Sequence, residues 1–140
     1  MKTLSLFLLL LSHINCAQAQ SEKDLIKTAI QKYIDGTSLN NPELISEAFY
    51  DDAYLFLSKE GEEIWLVPVE DYAGFFNKGD KGKPNGRTGK ILSIDQQNDI
   101  AIAKAEILIP SNDLKFIDLF LLKKLSGEWK IISKAATRIE

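Results

Sequence analysis

The feature that most constrains this sequence is a series of four long apolar runs between residues 87 and 138. The runs cover residues 91–94, 100–109, 116–125 and 129–136, and they are rich in β-branched and aromatic residues. Segments of turn composition separate them, at residues 95–99, 110–114 and 126–127. Strands joined by such short connections pair with their neighbours in antiparallel fashion. The pattern therefore predicts a four-stranded antiparallel meander.

The first nineteen residues predict a cleaved signal peptide. Lys2 gives a basic start, residues 4–11 are almost entirely apolar, and Ala17 and Ala19 occupy the positions that a signal peptidase reads. Cleavage after Ala19 would give a secreted or periplasmic protein. The apolar run is too short to cross a bilayer, so we expect no membrane span after cleavage. Lipid modification of Cys16 is a less favoured alternative, because the residue before it is not the small one that a lipobox requires.

Cleavage would also remove the chain's one cysteine and one histidine, Cys16 and His13. The remaining residues 20–140 offer only carboxylates, tyrosines, lysines, arginines and hydroxyls for chemistry. This composition excludes thiol nucleophiles, histidine relays and histidine-based zinc sites. The acidic residues also lack the spacing of a calcium-binding loop. We therefore expect no metal and no cofactor.

Charge is distributed unevenly along the chain. Residues 20–140 carry 16 basic and 20 acidic side chains, a net charge of −4. Residues 20–76 carry 4 basic and 12 acidic side chains, whereas residues 77–140 carry 12 and 8. This asymmetry favours attraction between the two halves or between subunits. The net acidity argues against nucleic acid as a partner.

The residues before the meander predict three helices and a short hairpin. A capping serine at Ser21 begins a helix with one apolar stripe that stops near Gly36, and Asn41 with the proline after it begins a second helix. Residues 53–58 and 63–68 are typical of two strands, and residues 69–76 have helical spacing. Residues 78–90, with four glycines and five basic residues, suit either a mobile solvated loop or an anion contact at the mouth of a pocket.

Two registers compete for the hairpin formed by residues 100–109 and 116–125. One places Glu106 opposite Asp118, which sets two like charges against each other. The other places Ala105 opposite Phe120 and is therefore preferred. In the next hairpin, the turn at residues 126–127 sets Leu125 opposite Glu128, which would leave Asp118 beside Ala135 and Phe120 beside Ser133.

Alternation along these strands gives the sheet two different faces. The predicted inner, helix-covered face carries Ala101, Ala103, Ala105, Ile107, Phe116, Asp118, Phe120, Leu122, Trp129 and Ile131. The predicted outer face carries Ile100, Ile102, Ile117, Leu119, Leu121 and Ile132, mixed with Lys104, Glu106, Lys123, Lys130 and Lys134. An outer face this apolar calls for a cover. We expect a homodimer formed through it.

The order of the predicted elements resembles the nuclear-transport-factor-two-like superfamily, which includes ketosteroid isomerases and polyketide cyclases. Residues 44–53 (LISEAFYDDA) are similar to the superfamily's aromatic, turn, acid and alanine segment. Residues 116–124 and 127–134 resemble the C-terminal hairpin of secreted bacterial members described as "putative lumazine-binding". The resemblance implies a single α+β domain over residues 20–140, in which three helices cover a cone-shaped, curved antiparallel sheet. Tyr50 stands where many relatives carry a histidine, so a metal or base role for that histidine does not transfer.

Asp118 is the main candidate for chemistry, because it is the one ionisable residue in an otherwise apolar stretch of strand. It could act as a general acid or base, as aspartates do in the ketosteroid isomerases, with Tyr33 or Tyr72 polarising the substrate. Alternatively, it could be a structural acid satisfied by Tyr33, Lys134, Arg138 or an amide.

The function favoured by these observations is binding without turnover, of a small and partly apolar molecule or of a protein partner. A cofactor-free isomerase, cyclase or dehydratase-like enzyme using Asp118 and Tyr33 is the alternative, and a structural dimerising module is the second alternative. Residues expected to touch a ligand are Phe49, Tyr54, Trp65, Tyr72, Phe76, Ala103, Ala105, Asp118 and Phe120.

Overall fold

Residues 20–140 form a curved six-stranded sheet and three helices, and they are the part of the chain that this computed structural model describes. The helices are α1 (Glu22–Ser38), α2 (Pro42–Ala48) and α3 (Val69–Gly74). The strands are β1 (Phe49–Lys59), β2 (Glu62–Pro68), β3 (Thr88–Gln97), β4 (Ile100–Ile109), β5 (Leu114–Leu125) and β6 (Glu128–Ile139). The predicted signal peptide, with its cleavage site and Cys16, lies outside the described residues.

Helix α1 begins and packs as its sequence predicts. The Ser21 hydroxyl accepts a hydrogen bond from the Asp24 backbone N–H at 3.2 Å and so caps the helix. Its apolar stripe is buried and carries Tyr33 into the interior, where the side chain is fully enclosed. Glu22 in the first turn accepts hydrogen bonds from Lys124 and from the Trp129 indole, both at 2.7 Å. These bonds, the Lys124 bond first, lower the pKa of Glu22.

The strand order β2-β1-β6-β5-β4-β3 confirms the predicted fold class and the predicted meander. Strands β3 to β6 pair antiparallel in sequence order, and β1 pairs antiparallel with β2. The hairpin joins the meander through a parallel pairing of β1 with β6, in which Tyr54 lies beside Ser133. One pairing in the sheet is therefore parallel, which the sequence pattern did not indicate.

The predicted register between β4 and β5 is wrong. Ala103, not Ala105, lies opposite Phe120, and Ala105 lies opposite Asp118. The loop explains the shift, because a 3₁₀ turn at Pro110–Asn112 followed by Asp113 in the left-handed conformation (φ 50°) leaves Ile109 paired with Leu114. The preferred register misses by two residues, an even shift that leaves every side chain on its predicted face.

The β5–β6 hairpin begins in the predicted register and then departs from it. Leu125 pairs with Glu128 as predicted, but beyond Leu122 a β-bulge inserts Ile132 as an extra residue in β6. One extra residue reverses the alternation of side chains along the rest of the strand. Lys134, predicted on the outer face, therefore points inward and is only 2% exposed. The pairings predicted for Asp118 and Phe120 are wrong for the same reason, since these residues face Ala136 and Lys134 instead.

The helices cover the inner face of the sheet closely. Gly89 on β3 marks one such close approach, because a Cβ atom at this position would lie 2.8 Å from the Ile34 side chain of α1. The residues predicted for the inner face are buried or half-buried, and they form the core with the stripe of α1. Among the described residues, no helix has both the length and the hydropathy needed to cross a membrane.

Hydrogen bonds join the connection between α3 and β3 to residues 37–41, which we call the α1–α2 corner. The Gly82 backbone N–H donates to the Leu39 carbonyl at 2.7 Å, and the Asn85 backbone N–H donates to the Ser38 carbonyl at 2.9 Å. The Asn85 side chain also donates to the Thr37 carbonyl at 2.8 Å. These bonds hold the exposed part of the glycine-rich segment in place and position Arg87, near the end of that segment, beside the inner face of the sheet.

Candidate ligand-binding site

The inner face of the sheet carries an ion pair between Asp118 on β5 and Lys134 on β6. Lys134 Nζ lies 2.9 Å from Asp118 Oδ2, and the two residues are 2% and 1% exposed. Lys134 lies two positions from Ala136, the residue opposite Asp118, so the charged pair is a diagonal pair on one face of the sheet. The bulge in β6 makes this contact possible. The carboxylate that is isolated in the sequence is therefore paired in the fold.

Two tyrosines from the helices extend the ion pair into a chain of hydrogen bonds. The Tyr33 hydroxyl donates to Asp118 Oδ2 at 2.8 Å and lies 3.1 Å from the Tyr72 hydroxyl. Because the Tyr33 proton is engaged by Asp118, Tyr72 is the donor in the bond between the two hydroxyls. Burial, followed by the negative charge of Asp118, raises the pKa of Tyr33 well above its ordinary value. Tyr33 thus remains a neutral donor to the carboxylate.

Arg87 approaches the two hydroxyls from the other side. Its Nη2 lies 3.3 Å from the Tyr33 hydroxyl and 3.4 Å from the Tyr72 hydroxyl, and its Cζ lies 5.7 Å from the centre of the Phe76 ring. Within residues 20–140, its Nε is enclosed and has no hydrogen-bond partner. Burial opposes the charge of Arg87, but Tyr72, Tyr33 and Asp118 together raise its pKa above the ordinary value. The guanidinium is therefore a permanent cation.

A cavity of about 250 Å³ opens beside this polar cluster. Its lining is mainly aromatic and aliphatic, and two of its residues, Trp65 and Phe75, stack at a centroid distance of 5.7 Å. Its lining residues are Leu57, Ser58, Trp65, Tyr72, Phe75, Phe76, Arg87, Ile109, Phe116, Asp118, Lys134 and Ala136. An apolar cavity with a few convergent polar groups is the usual form of a small-molecule site. We call it the inner cavity.

A larger concavity of about 460 Å³ lies on the opposite face of the sheet. Ile102, Leu119 and Leu121 line it and are 57%, 52% and 41% exposed, so its walls are the open surface of strands β4 and β5. It holds Lys104 and Asp95 but no cluster of buried polar groups among the described residues. An open aliphatic surface of this kind suits a macromolecular contact better than a small molecule. We call it the outer groove.

The structure brings together part of the predicted site. Trp65, Tyr72, Phe76 and Asp118 line the inner cavity, and Tyr33 contacts Asp118 directly behind it. The other predicted ligand contacts do not line it: Phe49, Ala103, Ala105 and Phe120 are buried in the core, and Tyr54 is 44% exposed on the outer face. Phe49 and Phe120 instead pack edge-on against the Tyr33 ring, at 5.8 and 5.4 Å.

Sequence reasoning misses the two cations of the site as cavity residues. The sequence indicates Lys134 only as one possible partner of Asp118, and alternation places it on the outer face. Arg87 lies within the glycine-rich segment of residues 78–90, whose composition suggests solvent exposure. The one signal in the sequence is the basic character of residues 78–90, which suggests an anion contact at the mouth of a pocket.

The contacts of Asp118 fix its orientation in the site. Asp118 Oδ2 already accepts hydrogen bonds from Lys134 and from Tyr33, and the Tyr33 proton is engaged in its bond. Within residues 20–140, no three histidine, cysteine, aspartate or glutamate side chains are grouped so that they could hold a metal ion.

Comparisons with known proteins agree with this fold. The family described as "putative lumazine-binding" matches residues 21–135. A structure of an NTF2-like protein of unknown function from Shewanella baltica has a TM-score of 0.74 and 22% identity, and covers 85% of this chain and 94% of its own. A similar protein from Methylobacillus flagellatus has a TM-score of 0.71 and 28% identity, and covers 84% and 92%. A third, from Silicibacter pomeroyi, has a TM-score of 0.72 and 17% identity, and covers 82% and 93%. A search of curated proteins found no match.

Proposed function

Because the chain belongs to the family described as "putative lumazine-binding" and has the nuclear-transport-factor-two-like fold, we propose that it is a non-catalytic binding protein for one small, partly apolar molecule held in the inner cavity. The observation that carries this proposal is the lining of the cavity. Aromatic side chains from β2, α3 and β5 form its walls, and three charged residues meet at its polar end. This combination supplies contact area and orientation to a ligand.

Binding is favoured over acid/base catalysis by the state of Asp118. A general base needs a free lone pair within reach of the proton that it removes. Here Tyr33 and Lys134 both donate to Asp118, and the neutral Tyr33 has already committed its proton to the carboxylate. Both bonds end on Oδ2, so an enzyme would have to use the remaining oxygen, Oδ1, as its base, and Tyr33 would not be available as a proton donor to the substrate.

The binding proposal can be tested with a pair of neighbouring alanines. Ala136 lines the inner cavity, whereas Ala135 lines the outer groove. A thermal-shift and native mass-spectrometry screen of small aromatic and pteridine compounds, with lumazine among them, should find ligands for the wild-type protein. Ala136→Leu should abolish binding by filling the cavity, and Ala135→Leu should retain it. Loss of binding in Ala135→Leu alone would move the site to the outer groove, and a screen without any ligand would refute the proposal.

We also propose that two copies associate through the outer groove. Within residues 20–140, neither Lys104 nor Asp95 has an ion-pair partner, although both border the exposed Ile102. In a twofold dimer, a patch with both charges can pair each residue with its opposite on the other copy. Light scattering should give the mass of a dimer. Ile102→Lys should yield a monomer, and Ile64→Lys should not, since Ile64 is equally exposed but lies in β2, which three other strands separate from β4.

The proposed location is the periplasm or the extracellular medium. The support is the sequence pattern of residues 1–19, with its apolar run and its alanines at positions 17 and 19. N-terminal sequencing of the protein produced in a bacterial host should find Gln20 first. A chain that begins at Met1 would contradict the proposal.

A further inference from the structure

Arg87 is the least satisfied polar side chain of the inner cavity. Its two hydrogen bonds come from Nη2 and measure 3.3 and 3.4 Å, beyond the 2.7–3.2 Å that is usual for an N–H donor. Its Nε is enclosed and has no partner among the described residues. A buried donor without an acceptor is unfavourable, commonly by about 1–3 kcal/mol. A ligand that brings hydrogen-bond acceptors to this guanidinium would therefore bind more favourably, because it would satisfy a donor that is unpaired in the free protein.

The charges around the inner cavity do not cancel. Arg87 and Lys134 are cations, whereas Asp118 is the one carboxylate among the lining residues. Lys134 is matched by Asp118 at 2.9 Å, whereas the hydrogen bonds of the Arg87 guanidinium within residues 20–140 go to the hydroxyls of Tyr33 and Tyr72. The cavity thus holds one positive charge without a counter-charge. One negative charge on a ligand would balance it.

The shape and lining of the cavity restrict the rest of the ligand. About 250 Å³ accommodates one ring with a short chain, and it is below the roughly 300 Å³ at which drug-sized sites begin. Phe76 lies against the Arg87 guanidinium, Phe116 is a further aromatic lining residue, and Trp65 stacks on Phe75, which is 48% exposed. A dianion such as phosphate would leave one negative charge unbalanced against these apolar walls. A planar carboxylate on an apolar body matches both the fork of a guanidinium and the aromatic walls.

We propose that the inner cavity is specific for a small aromatic or branched-chain monocarboxylate, whose carboxylate pairs with Arg87 and whose apolar body lies between Phe76, Phe116 and Trp65. This assignment rests on the proposed binding function and names its ligand class. Tyr72 positions the guanidinium, because its hydroxyl is hydrogen-bonded to Tyr33 and also accepts a hydrogen bond from Arg87.

The test compares 3-phenylpropionate with its neutral amide, which has nearly the same shape and no charge. Isothermal titration calorimetry on the wild-type protein should give a dissociation constant for the acid on the order of 0.1–1 mM. The amide should bind at least about tenfold more weakly, the expected loss for one charge-assisted pair. Arg87→Met should reduce acid binding to the level of the amide. Arg138→Met, at the chain's other arginine, is the matched control because Arg138 is exposed and does not line the cavity.

Each outcome decides one part of the proposal. Equal affinity for acid and amide would overturn the carboxylate assignment and leave the binding function standing, since both molecules would still occupy the cavity. Equal loss in Arg87→Met and Arg138→Met would overturn the role of Arg87. Absence of binding by both probes would overturn the ligand class, and the broader screen with Ala136→Leu decides the binding function separately. Should Arg87→Met fail to fold, the comparison of acid with amide on the wild-type protein still decides whether the cavity selects a carboxylate.

Discussion

The charges around the inner cavity predict which member of the buried ion pair, Asp118 or Lys134, is more important for stability. Asp118→Asn removes the one carboxylate and leaves two cations, Lys134 and Arg87, enclosed together. Removal of one partner from a buried pair typically destabilises a protein by about 3–5 kcal/mol. Lys134→Met also removes one partner, but the remaining Asp118 carboxylate still interacts with a second cation, Arg87. Its cost should therefore be nearer that of a charged hydrogen bond, about 1.5–3 kcal/mol. Asp118→Asn should therefore be the more destabilising change.

Urea unfolding followed by circular dichroism measures the difference. A single domain of this size unfolds in one cooperative step, with a slope of about 2 kcal/mol per molar urea. Asp118→Asn should lower the midpoint by about 1.5–2.5 M, and Lys134→Met by about 1 M. The double variant should lose less than the sum of the two, with a coupling energy of about 1–3 kcal/mol. The reasoning fails if Lys134→Met is the more destabilising, or if both changes remain below about 1 kcal/mol, the usual range of an exposed pair.

Three further predictions follow from individual contacts in the fold. Gly89→Ala should lower the free energy of unfolding by about 1–3 kcal/mol, because its methyl group would overlap α1; Gly74→Ala, whose Cβ would meet nothing closer than 4.0 Å, should be neutral or stabilising in the same urea assay. Because the pKa of Tyr33 is raised, its share of stability is complete below pH 10.0 and is lost as the pH rises through the raised value. Ultraviolet difference spectra should then show Tyr33 ionising only as the protein unfolds, and ionisation in the folded state would contradict this. Because the pKa of Glu22 is lowered, its contribution to the free energy of unfolding is complete above pH 4.5 and is lost as the pH falls through the lowered value. The indole N–H resonance of Trp129 should shift over that lower pH range. In Glu22→Gln the same resonance should be insensitive to acid.

The elements and faces of this fold were predictable because they depend on local periodicity. The capping serine of α1, the Asn41-Pro42 start of α2 and the alternation along β4 and β5 each match the structure. The register of β4 on β5 was not predictable in the same way. It is set by one left-handed residue, Asp113, in a four-residue loop that composition alone does not distinguish from neighbouring alternatives. The predicted register differs from the true one by two residues, so the residues predicted for the inner face of the sheet are still the ones found there.

The candidate site was predictable only in part, for two physical reasons. Strict alternation assigns Lys134 to the outer face, and the bulge at Ile132 that brings it inward has no marker in the sequence, since no glycine or proline accompanies it. Arg87 enters the site because hydrogen bonds from Gly82 and Asn85 hold the preceding segment against the α1–α2 corner. Such long-range anchoring cannot be derived from the composition of a glycine-rich stretch. Asp118, in contrast, could be identified from its position alone.

The parallel pairing of β1 with β6 has a consequence for how the chain reaches its folded state. Strand β6 is the last of the six in sequence, yet it lies between β1 and β5 and is the one link between the hairpin and the meander. The two parts of the sheet therefore cannot join until residues 128–139 are available. Pairings between strands this distant in sequence form slowly, because the entropy of closing the long loop is lost before the stabilising contacts form. A chain that is still being synthesised and lacks β6 is therefore expected to keep the edges of β1 and β5 unpaired. In that state it should be a substrate for chaperones and proteases and should not yet bind a ligand.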